Sequence, residues 1–152
     1  MTRILFVCLG NICRSTMAEF VLKDMIAKRG LEKRIVVASA GTSDEEEGNP
    51  VHHGTRRKLA SVGIPVDPAK RARQMTRADY GKYDLLIGME ERNVSGMRRI
   101  AGGDPDGKMH RLLDYSDRPR DIADPWYTGN FDVTYDDVIE GCEALLNAIE
   151  NA

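Results

Sequence analysis

The sequence predicts one α/β domain over residues 1–152, with three layers and helices on both sides of a four-stranded parallel sheet. Short apolar runs suited to buried strands alternate with longer segments that have helical periodicity. No repeat, low-complexity tract or linker divides the chain. A chain of 17.0 kDa is also long enough to bury a core without disulfide or metal staples.

The first half of the chain predicts two strands and two helices. Residues 3–8 are largely apolar, as expected of a strand that is buried on both faces. Apolar side chains then recur at helical spacing over residues 16–28, and Gly30 is placed to end that helix. Residues 35–38 predict the second strand, and residues 52–61 predict the second helix.

The second half continues the alternation with a strand, a helix, a weaker strand and a final amphipathic helix, at residues 84–89, 90–100, 109–113 and 132–150. Strands that alternate with helices predict a parallel sheet with right-handed crossovers, of the flavodoxin or Rossmann-like kind. Ligands of such sheets bind beyond the carboxyl ends of the strands. The loop that follows the first strand must lie there.

Charge and hydropathy exclude several classes of function. The formal net charge of −2 and the pI of about 5.9 disfavour binding to nucleic acid, which normally needs a basic surplus. No apolar run is long enough to span a bilayer, so we expect no membrane partner. The first predicted strand begins two residues after Met1, from which we expect no signal peptide and a cytoplasmic location.

The three cysteines are Cys8, Cys13 and Cys142. An odd and sparse set argues against a disulfide framework. No C-x-x-C pair is present, so we expect neither a metal site nor a cofactor. Cys142 falls on the apolar face of the last predicted helix, which predicts a position in the core.

The most informative segment is residues 8–15, CLGNICRS, which has the form C-x5-R-S and joins the first strand to the first helix. Backbone N–H groups at the start of a helix have no partner within the helix, and the helix dipole adds partial positive charge. A loop curled at that point can therefore hold an anion. Gly10 and Asn11 tolerate the left-handed backbone angles that such a curl needs. The residues expected to bind the anion are Leu9, Gly10, Asn11, Ile12, Cys13 and Ser15.

Two side chains of this segment predict chemistry at a bound phosphate. The Arg14 guanidinium is a rigid fork of donors that matches two phosphate oxygens. The same positive field favours the thiolate form of Cys8, which is then a nucleophile aimed at phosphorus. Ser15 can donate a hydrogen bond to that sulfur and help it to leave in a second step. The alternative for Cys8 is a structural position, since cysteine is frequent in protein cores.

Cleavage of a phosphate ester also needs a proton for the leaving oxygen, and Asp124 is the best candidate to supply it. Pro125 stiffens its loop, and the adjacent Trp126 and Tyr127 can shield a carboxyl group and wall an aromatic substrate. An ordinary Asp-Pro turn is the alternative. The three histidines are expected at the surface or in loops: His52, His53 and His110.

Taken together, the Cys8–Ser15 segment and the Asp-Pro-Trp segment resemble the low-molecular-weight protein tyrosine phosphatases, over essentially the whole chain. The resemblance implies a metal-independent hydrolase that acts on phosphotyrosine in proteins or peptides. It implies that Cys8 forms a cysteinyl-phosphate while Arg14 clamps the phosphate. On the same mapping, Asp124 is the general acid and then the base for the attacking water.

The resemblance also assigns supporting residues. Asn11 matches an asparagine that holds the loop curled, and Ser39 matches its hydrogen-bonding partner. Cys13 matches a cysteine that in relatives can form a disulfide with the nucleophile and protect it from over-oxidation, with plain packing as the alternative. The wall of the substrate pocket is expected from Ile12, Glu45, Trp126 and Tyr127.

The sequence departs from the family pattern at two positions. Glu45 stands where many relatives have an aromatic residue, so we expect an acidic pocket mouth that disfavours acidic residues around the phosphotyrosine. Glu90 stands where family members often have aspartate. It keeps the charge on a longer arm, which leaves its supporting role open.

Three alternatives fit parts of the pattern. Arsenate reductases of the same scaffold use a downstream cysteine pair, whereas only Cys142 lies beyond the loop here. Arginine phosphatases of this family tend to have threonine where Ile12 stands, and an apolar side chain offers no hydroxyl to a guanidinium, which favours phosphotyrosine. A non-catalytic phosphate-binding module would need neither Cys8 nor Asp124. The physiological substrate and phosphorylation of Tyr127 stay open, and we expect a monomer or weak dimer.

Overall fold

Four parallel strands form the central sheet of the computed structural model, which describes residues 1–152. The strands lie in the order β2-β1-β3-β4, and all three neighbouring pairs are parallel. Their bounds are β1 Thr2–Cys8, β2 Ile35–Gly41, β3 Leu85–Gly88 and β4 Met109–Arg111. This confirms the predicted α/β fold with its four-stranded parallel sheet.

Six α-helices connect and cover the strands. They are α1 Arg14–Arg29, α2 His53–Ser61, α3 Asp79–Lys82, α4 Glu91–Ala101, α5 Pro125–Thr128 and α6 Phe131–Glu150. The short helices α3 and α5 lie in segments that the sequence pattern did not predict as helical, because a single turn is too short to show periodicity. Helix α1 ends, as predicted, at Gly30, whose φ of 68° is left-handed.

The predicted fourth strand is shorter than expected. Only Met109–Arg111 pairs with β3, and Leu112–Tyr115 then forms a 3-10 turn. Strand β3 is itself only four residues long and offers no partner beyond Gly88. Leu112 and Leu113 are nevertheless fully buried, which explains why their apolar pattern suggested a strand.

The core lies in two layers, one on each face of the sheet. Ile4 and Phe6 of β1 point into a cluster of 24 buried residues that includes side chains of α1 and α6. Leu5 and Val7 point the other way, into a cluster of 8 buried residues beneath α4. The continuous apolar run of β1 is therefore a consequence of burial on both faces. No helix has both the length and the apolar character needed to cross a membrane.

The carboxyl ends of all four strands meet at one edge of the sheet, since the strands are parallel. The loop of residues 9–13 follows β1 there, and α4 begins just beyond β3. The chain that leaves β4 returns to the same edge through Ile122, whose N–H donates to the Met89 carbonyl at 2.9 Å. This edge assembles segments that are far apart in the sequence.

Candidate active site

The β1–α1 loop, residues 9–13, is curled so that several backbone donors remain free. Asn11 has a φ of 59° and is the only non-glycine residue of the chain with a positive φ. Helix α1 starts directly after the loop, without a side-chain cap at Cys13. The loop amides without a hydrogen-bond acceptor in the chain are those of Leu9, Gly10, Ile12 and Cys13. Free amides at a helix start form a binding place for an anion.

The end of β2 holds the outer side of this loop. The N–H of Thr42 donates to the Cys8 carbonyl at 2.9 Å, and the N–H of Ser43 donates to the Leu9 carbonyl at 3.0 Å. Gly41 permits this contact, because a Cβ there would lie 2.7 Å from the Leu9 oxygen. The loop carbonyls are thus occupied on the β2 side, which leaves the amides as the groups available to a ligand.

Two donors point at the sulfur of Cys8, which is 3% exposed. The backbone N–H of Asn11 lies 3.3 Å from Sγ, and the Oγ of Ser15 lies 3.0 Å from it. Ser15 Oγ accepts a hydrogen bond from Asn11 Nδ2 at 2.9 Å, so its own proton is free for the sulfur. Two hydrogen-bond donors thus converge on this one sulfur.

The Asn11 side chain holds the loop to the rest of the domain. Its Nδ2 donates to Ser15 Oγ and to Ser39 Oγ, each at 2.9 Å, and its Oδ1 accepts from the backbone N–H of Arg73 at 3.1 Å. Both N–H donors and one of the two acceptor positions of this amide are therefore used. Asn11 and Ser39 lie together as the resemblance implies.

A buried ion pair supports Ser39, and sequence reasoning missed it. Ser39 Oγ donates to Glu19 Oε1 at 2.5 Å, and the Lys70 ammonium lies 3.3 Å from the same carboxylate oxygen. Burial lowers the pKa of Lys70, while the Glu19 carboxylate opposes that shift. The signal for Glu19 is a lone carboxylate within the apolar run of residues 17–22 in α1. Lys70 gives no such signal, because it belongs to a basic segment, residues 70–73, of the kind that usually lies at the surface.

Arg14 is buried beside the loop and is 1% exposed. Its Nη1 donates to the Ile122 carbonyl at 2.9 Å and lies 3.4 Å from Glu90 Oε2. Its Nη2 lies 3.3 Å from Asp124 Oδ2. Its Nε has no hydrogen-bond partner in the protein. An unpaired buried donor is costly, so this Nε is suited to an anionic ligand oxygen.

Asp124 is held in place as the N-terminal cap of α5. Its Oδ1 accepts from the Trp126 N–H at 3.0 Å, and Pro125 occupies the first helical position, where a missing N–H costs nothing. Its Oδ2 faces Arg14, and the side chain is 18% exposed. The structure therefore brings Cys8, Arg14 and Asp124 to one edge of the sheet, in contact through Arg14 and the β1–α1 loop.

The other cysteines differ from Cys8. Cys13 is a buried free thiol, and burial together with the nearby Cys8 raises the pKa of Cys13 to about 12. Cys142 is fully buried in the main core, as predicted, and burial raises its pKa as well. Both therefore stay protonated near neutral pH.

The residues expected at the pocket wall differ in exposure and in their contacts with the loop. Glu45 is exposed, and the acidic residue next to the loop is Glu46, whose Cγ lies 3.2 Å from the place of a Cβ on Gly10. The turn at residues 44–47, closed by the hydrogen bond from the Glu47 N–H to the Asp44 carbonyl, places Glu46 rather than Glu45 beside Gly10. Ile12 is 8% exposed and packs against Cys13 and Ala72, and its role as a wall of the pocket stays a prediction.

The two aromatic residues after Pro125 occupy different sides of the site. Trp126 is 55% exposed and meets His52 edge-on, with ring centroids 5.5 Å apart. His52 accepts from the Gly54 N–H as the cap of α2, and burial lowers its pKa. Tyr127 lines a cavity of about 780 Å³ that also reaches Leu9, Arg14 and Asp124. Within residues 1–152, no group of three or more His, Cys, Asp or Glu side chains could hold a metal ion.

Replacing Asn11 separates the backbone contribution from the side-chain contribution to the loop. Asn11→Gly keeps the left-handed backbone but loses three hydrogen bonds, so we expect it to lower the free energy of unfolding by about 2–4 kcal/mol. Asn11→Ala should cost about 1–2 kcal/mol more, because alanine resists the left-handed region. Urea unfolding measures both. Asn151→Ala, at the exposed end of α6, is the control, and a glycine variant as stable as the unmodified chain would contradict the role of the side chain.

Comparison with known proteins identifies the family. The model of the low molecular weight phosphotyrosine protein phosphatase family matches residues 3–152. The low molecular weight protein-tyrosine-phosphatase YfkJ of Bacillus subtilis is 43% identical over 152 residues, which cover 99% of this chain and 97% of that protein. The crystal structure of YfkJ superimposes with a TM-score of 0.95 at 42% identity, over 99% of this chain and 96% of that one.

Two further structures show the range of the likeness. SP-PTP, the low molecular weight protein tyrosine phosphatase from Streptococcus pyogenes, has a TM-score of 0.89 at 37% identity, over 98% of this chain and 93% of that one. DARP, a drosophila arginine phosphatase, has a TM-score of 0.89 at 28% identity, over 99% and 98%. From the family match, the YfkJ likeness and the shared fold, the chain belongs to the low molecular weight phosphotyrosine protein phosphatase family and is a phosphoric monoester hydrolase of the protein-tyrosine-phosphatase class.

Proposed function

We propose that the chain hydrolyses phosphotyrosine in proteins or peptides through a cysteinyl-phosphate, with no metal ion. One observation carries the proposal: the Cys8 sulfur receives two hydrogen-bond donors inside a loop whose free amides and unpaired Arg14 Nε are suited to a phosphate. The family match supports the reaction class.

In the first step, Cys8 Sγ attacks phosphorus and the bond from phosphorus to the phenolic oxygen breaks. The free loop amides and Arg14 stabilise the equatorial phosphoryl oxygens as charge is redistributed. A phosphate that engages Arg14 releases the Asp124 carboxylate from its ion pair, and the released carboxylate takes up a proton from water before it acts as an acid. Asp124 then gives its proton to the departing phenolate, so that tyrosine leaves as the neutral phenol.

In the second step, a water molecule attacks the phosphorus of the cysteinyl-phosphate. Asp124, now a carboxylate, accepts a proton from this water. The bond from phosphorus to sulfur breaks, and Cys8 leaves as a thiolate. The hydroxyl of Ser15, 3.0 Å from Sγ, stabilises the charge that returns to the sulfur. Inorganic phosphate is released and the enzyme returns to its first state.

Replacing the nucleophile tests the reaction class. Cys8→Ser should abolish hydrolysis of para-nitrophenyl phosphate, because a serine hydroxyl is far less ionised than a thiol at neutral pH. The assay contains a chelator, in which the unmodified enzyme should keep its rate. Inorganic phosphate should still bind to the variant. Turnover by Cys8→Ser, or binding of phosphate without turnover by the unmodified chain, would refute the covalent mechanism.

Replacing Asp124 tests its role as the general acid. Asp124→Asn should lower kcat for phenyl phosphate by about 10²–10⁴-fold, the usual contribution of a general acid. Its effect on phosphate binding should be much smaller. Asp117→Asn is the matched control, since Asp117 is exposed and makes no hydrogen bond or ion pair. An Asp124→Asn enzyme with the kcat of the control would remove Asp124 from the mechanism.

The preferred substrate is tested with a panel of otherwise identical peptides that carry phosphotyrosine, phosphoserine or phosphoarginine. We expect the highest kcat/KM for phosphotyrosine, since Leu9, Trp126 and Tyr127 expose apolar surface at the site and Ile12 offers no hydroxyl to a guanidinium. A higher kcat/KM for phosphoarginine would overturn the substrate assignment and leave the covalent mechanism standing.

A further inference from the structure

The cavity beside the catalytic residues extends well beyond them. It has a volume of about 780 Å³, starts at Arg14 and Asp124, and continues along α4 as far as Arg99. Thr42 and Ser43, just after β2, line its other side. Helix α4 and this segment approach closely, since a Cβ on Gly96 would lie 2.9 Å from the Thr42 Cγ2 atom. The result is an open groove that leads away from the phosphate site.

The carboxylates that line this groove all have cationic partners. Glu90 and Asp124 lie within 3.4 Å and 3.3 Å of the Arg14 guanidinium. Glu91 lies 3.8 Å from Arg98. Asp121 lies 3.1 Å from Arg111 and also accepts the Glu91 N–H. Each carboxylate of the groove is therefore within 4 Å of a guanidinium, although Glu90 and Asp124 share that of Arg14.

Two cations of the groove have no such compensation. Arg92 and Arg99 line it, are exposed, and make neither an ion pair nor a side-chain hydrogen bond in the protein. A cation at Arg92 also opposes the helix dipole, because it sits in the first turn of α4. Its charge is thus not explained by helix stability. Residues 44–47, the acidic run near the β1–α1 loop, do not line this groove.

The spacing of the two arginines matches an extended peptide. They are seven positions apart on one helix, which is about two turns, so they lie on the same side and about 10 Å apart along the axis. An extended chain covers about 3.3 Å per residue, so this distance corresponds to about three peptide residues. Arg92 lies nearer to the catalytic edge and Arg99 farther along the groove.

From these observations we propose that Arg92 and Arg99 form an anion-binding subsite that selects phosphotyrosine peptides carrying a carboxylate or a second phosphate ester close to the phosphotyrosine. The inference rests on the proposed function. The acidic run of residues 44–47 is expected to disfavour acidic residues of the substrate peptide. The subsite limits this effect to the side of Glu46, and on the side of α4 an acidic residue of the peptide is favoured. Arg92 contacts the anion nearer to the phosphotyrosine, and Arg99 contacts one about three residues farther away.

The test uses phosphotyrosine peptides with neutral flanks and versions with glutamate placed at each of the four positions on either side. A second set carries phosphoserine in place of glutamate, which distinguishes a carboxylate from a phosphate ester. The enzymes are the unmodified chain, Arg92→Ala/Arg99→Ala, and Lys33→Ala/Arg34→Ala. The last is matched in charge change and lies before β2, at the amino edge of the sheet.

For the unmodified chain and the Lys33→Ala/Arg34→Ala control, we expect kcat/KM to be about two- to fivefold higher for the best acidic peptide than for the neutral one, as expected for an exposed ion pair. This ratio should fall to about one in Arg92→Ala/Arg99→Ala, through KM rather than kcat. It should also fall at high salt. An equal ratio in all three enzymes, or no acidic preference in the unmodified chain, would overturn the subsite.

Binding of the same peptides to Cys8→Ser protein, with and without the two arginine substitutions, separates this inference from the proposed function. If the subsite exists, Cys8→Ser protein binds acidic peptides more tightly than neutral ones, and this preference is lost when Arg92 and Arg99 are also replaced. Peptides that bind with the expected preference but are never hydrolysed by the unmodified chain would refute the proposed function and leave the subsite in place. Equal binding of acidic and neutral peptides to Cys8→Ser would refute the subsite alone.

Discussion

The sharp reversal of the chain between β1 and α1 is the constraint on which the site depends. Five residues separate the end of the strand from the start of the helix, and a positive φ at Asn11 makes this short path possible. The reversal leaves amides without acceptors, and it aims the Asn11 N–H and the Ser15 hydroxyl at one sulfur. Strain at Asn11 is offset by the hydrogen bonds of its own side chain.

A buried ion pair supports the geometry of the β1–α1 loop. Glu19 and Lys70 are both removed from bulk water, and their pairing fixes the Ser39 hydroxyl that in turn orients Asn11. A buried ion pair adds little net stability, but removing one partner is costly. The contribution of this pair is therefore to orient the Ser39 hydroxyl rather than to stabilise the fold. It leaves the Asn11 amide with one orientation, so that the loop is formed before any ligand arrives.

The sequence was a good guide wherever a local pattern carried the information. The apolar run of β1 and the alternation of strands and helices predict the sheet, and the C-x5-R-S segment places Cys8 and Arg14 at the end of a strand. The Asp-Pro-Trp segment identifies Asp124, whose cap geometry is itself a local feature. The fold prediction is confirmed by the structure and by its neighbours, while the roles of the site residues stay predictions.

What the sequence could not provide depends on contacts between distant segments. Glu19 meets Lys70 only because α1 and the segment before α3 pack on the same side of β2. The shift from Glu45 to Glu46 arises from a turn whose exact path no periodicity encodes. The unpaired state of Arg92 and Arg99 is a property of everything that surrounds them, and in the sequence they are indistinguishable from Arg98, which is paired.

The contact between Arg14 and Ile122 has a consequence for how this enzyme can diverge. The guanidinium binds the main-chain carbonyl of Ile122, and the amide of the same residue is tied to Met89. Drift among apolar residues at position 122 therefore leaves both bonds intact. An insertion or deletion between β4 and that residue would instead carry the carbonyl away from the guanidinium, so lineages of this protein should tolerate substitutions in the connecting segment far better than changes in its length.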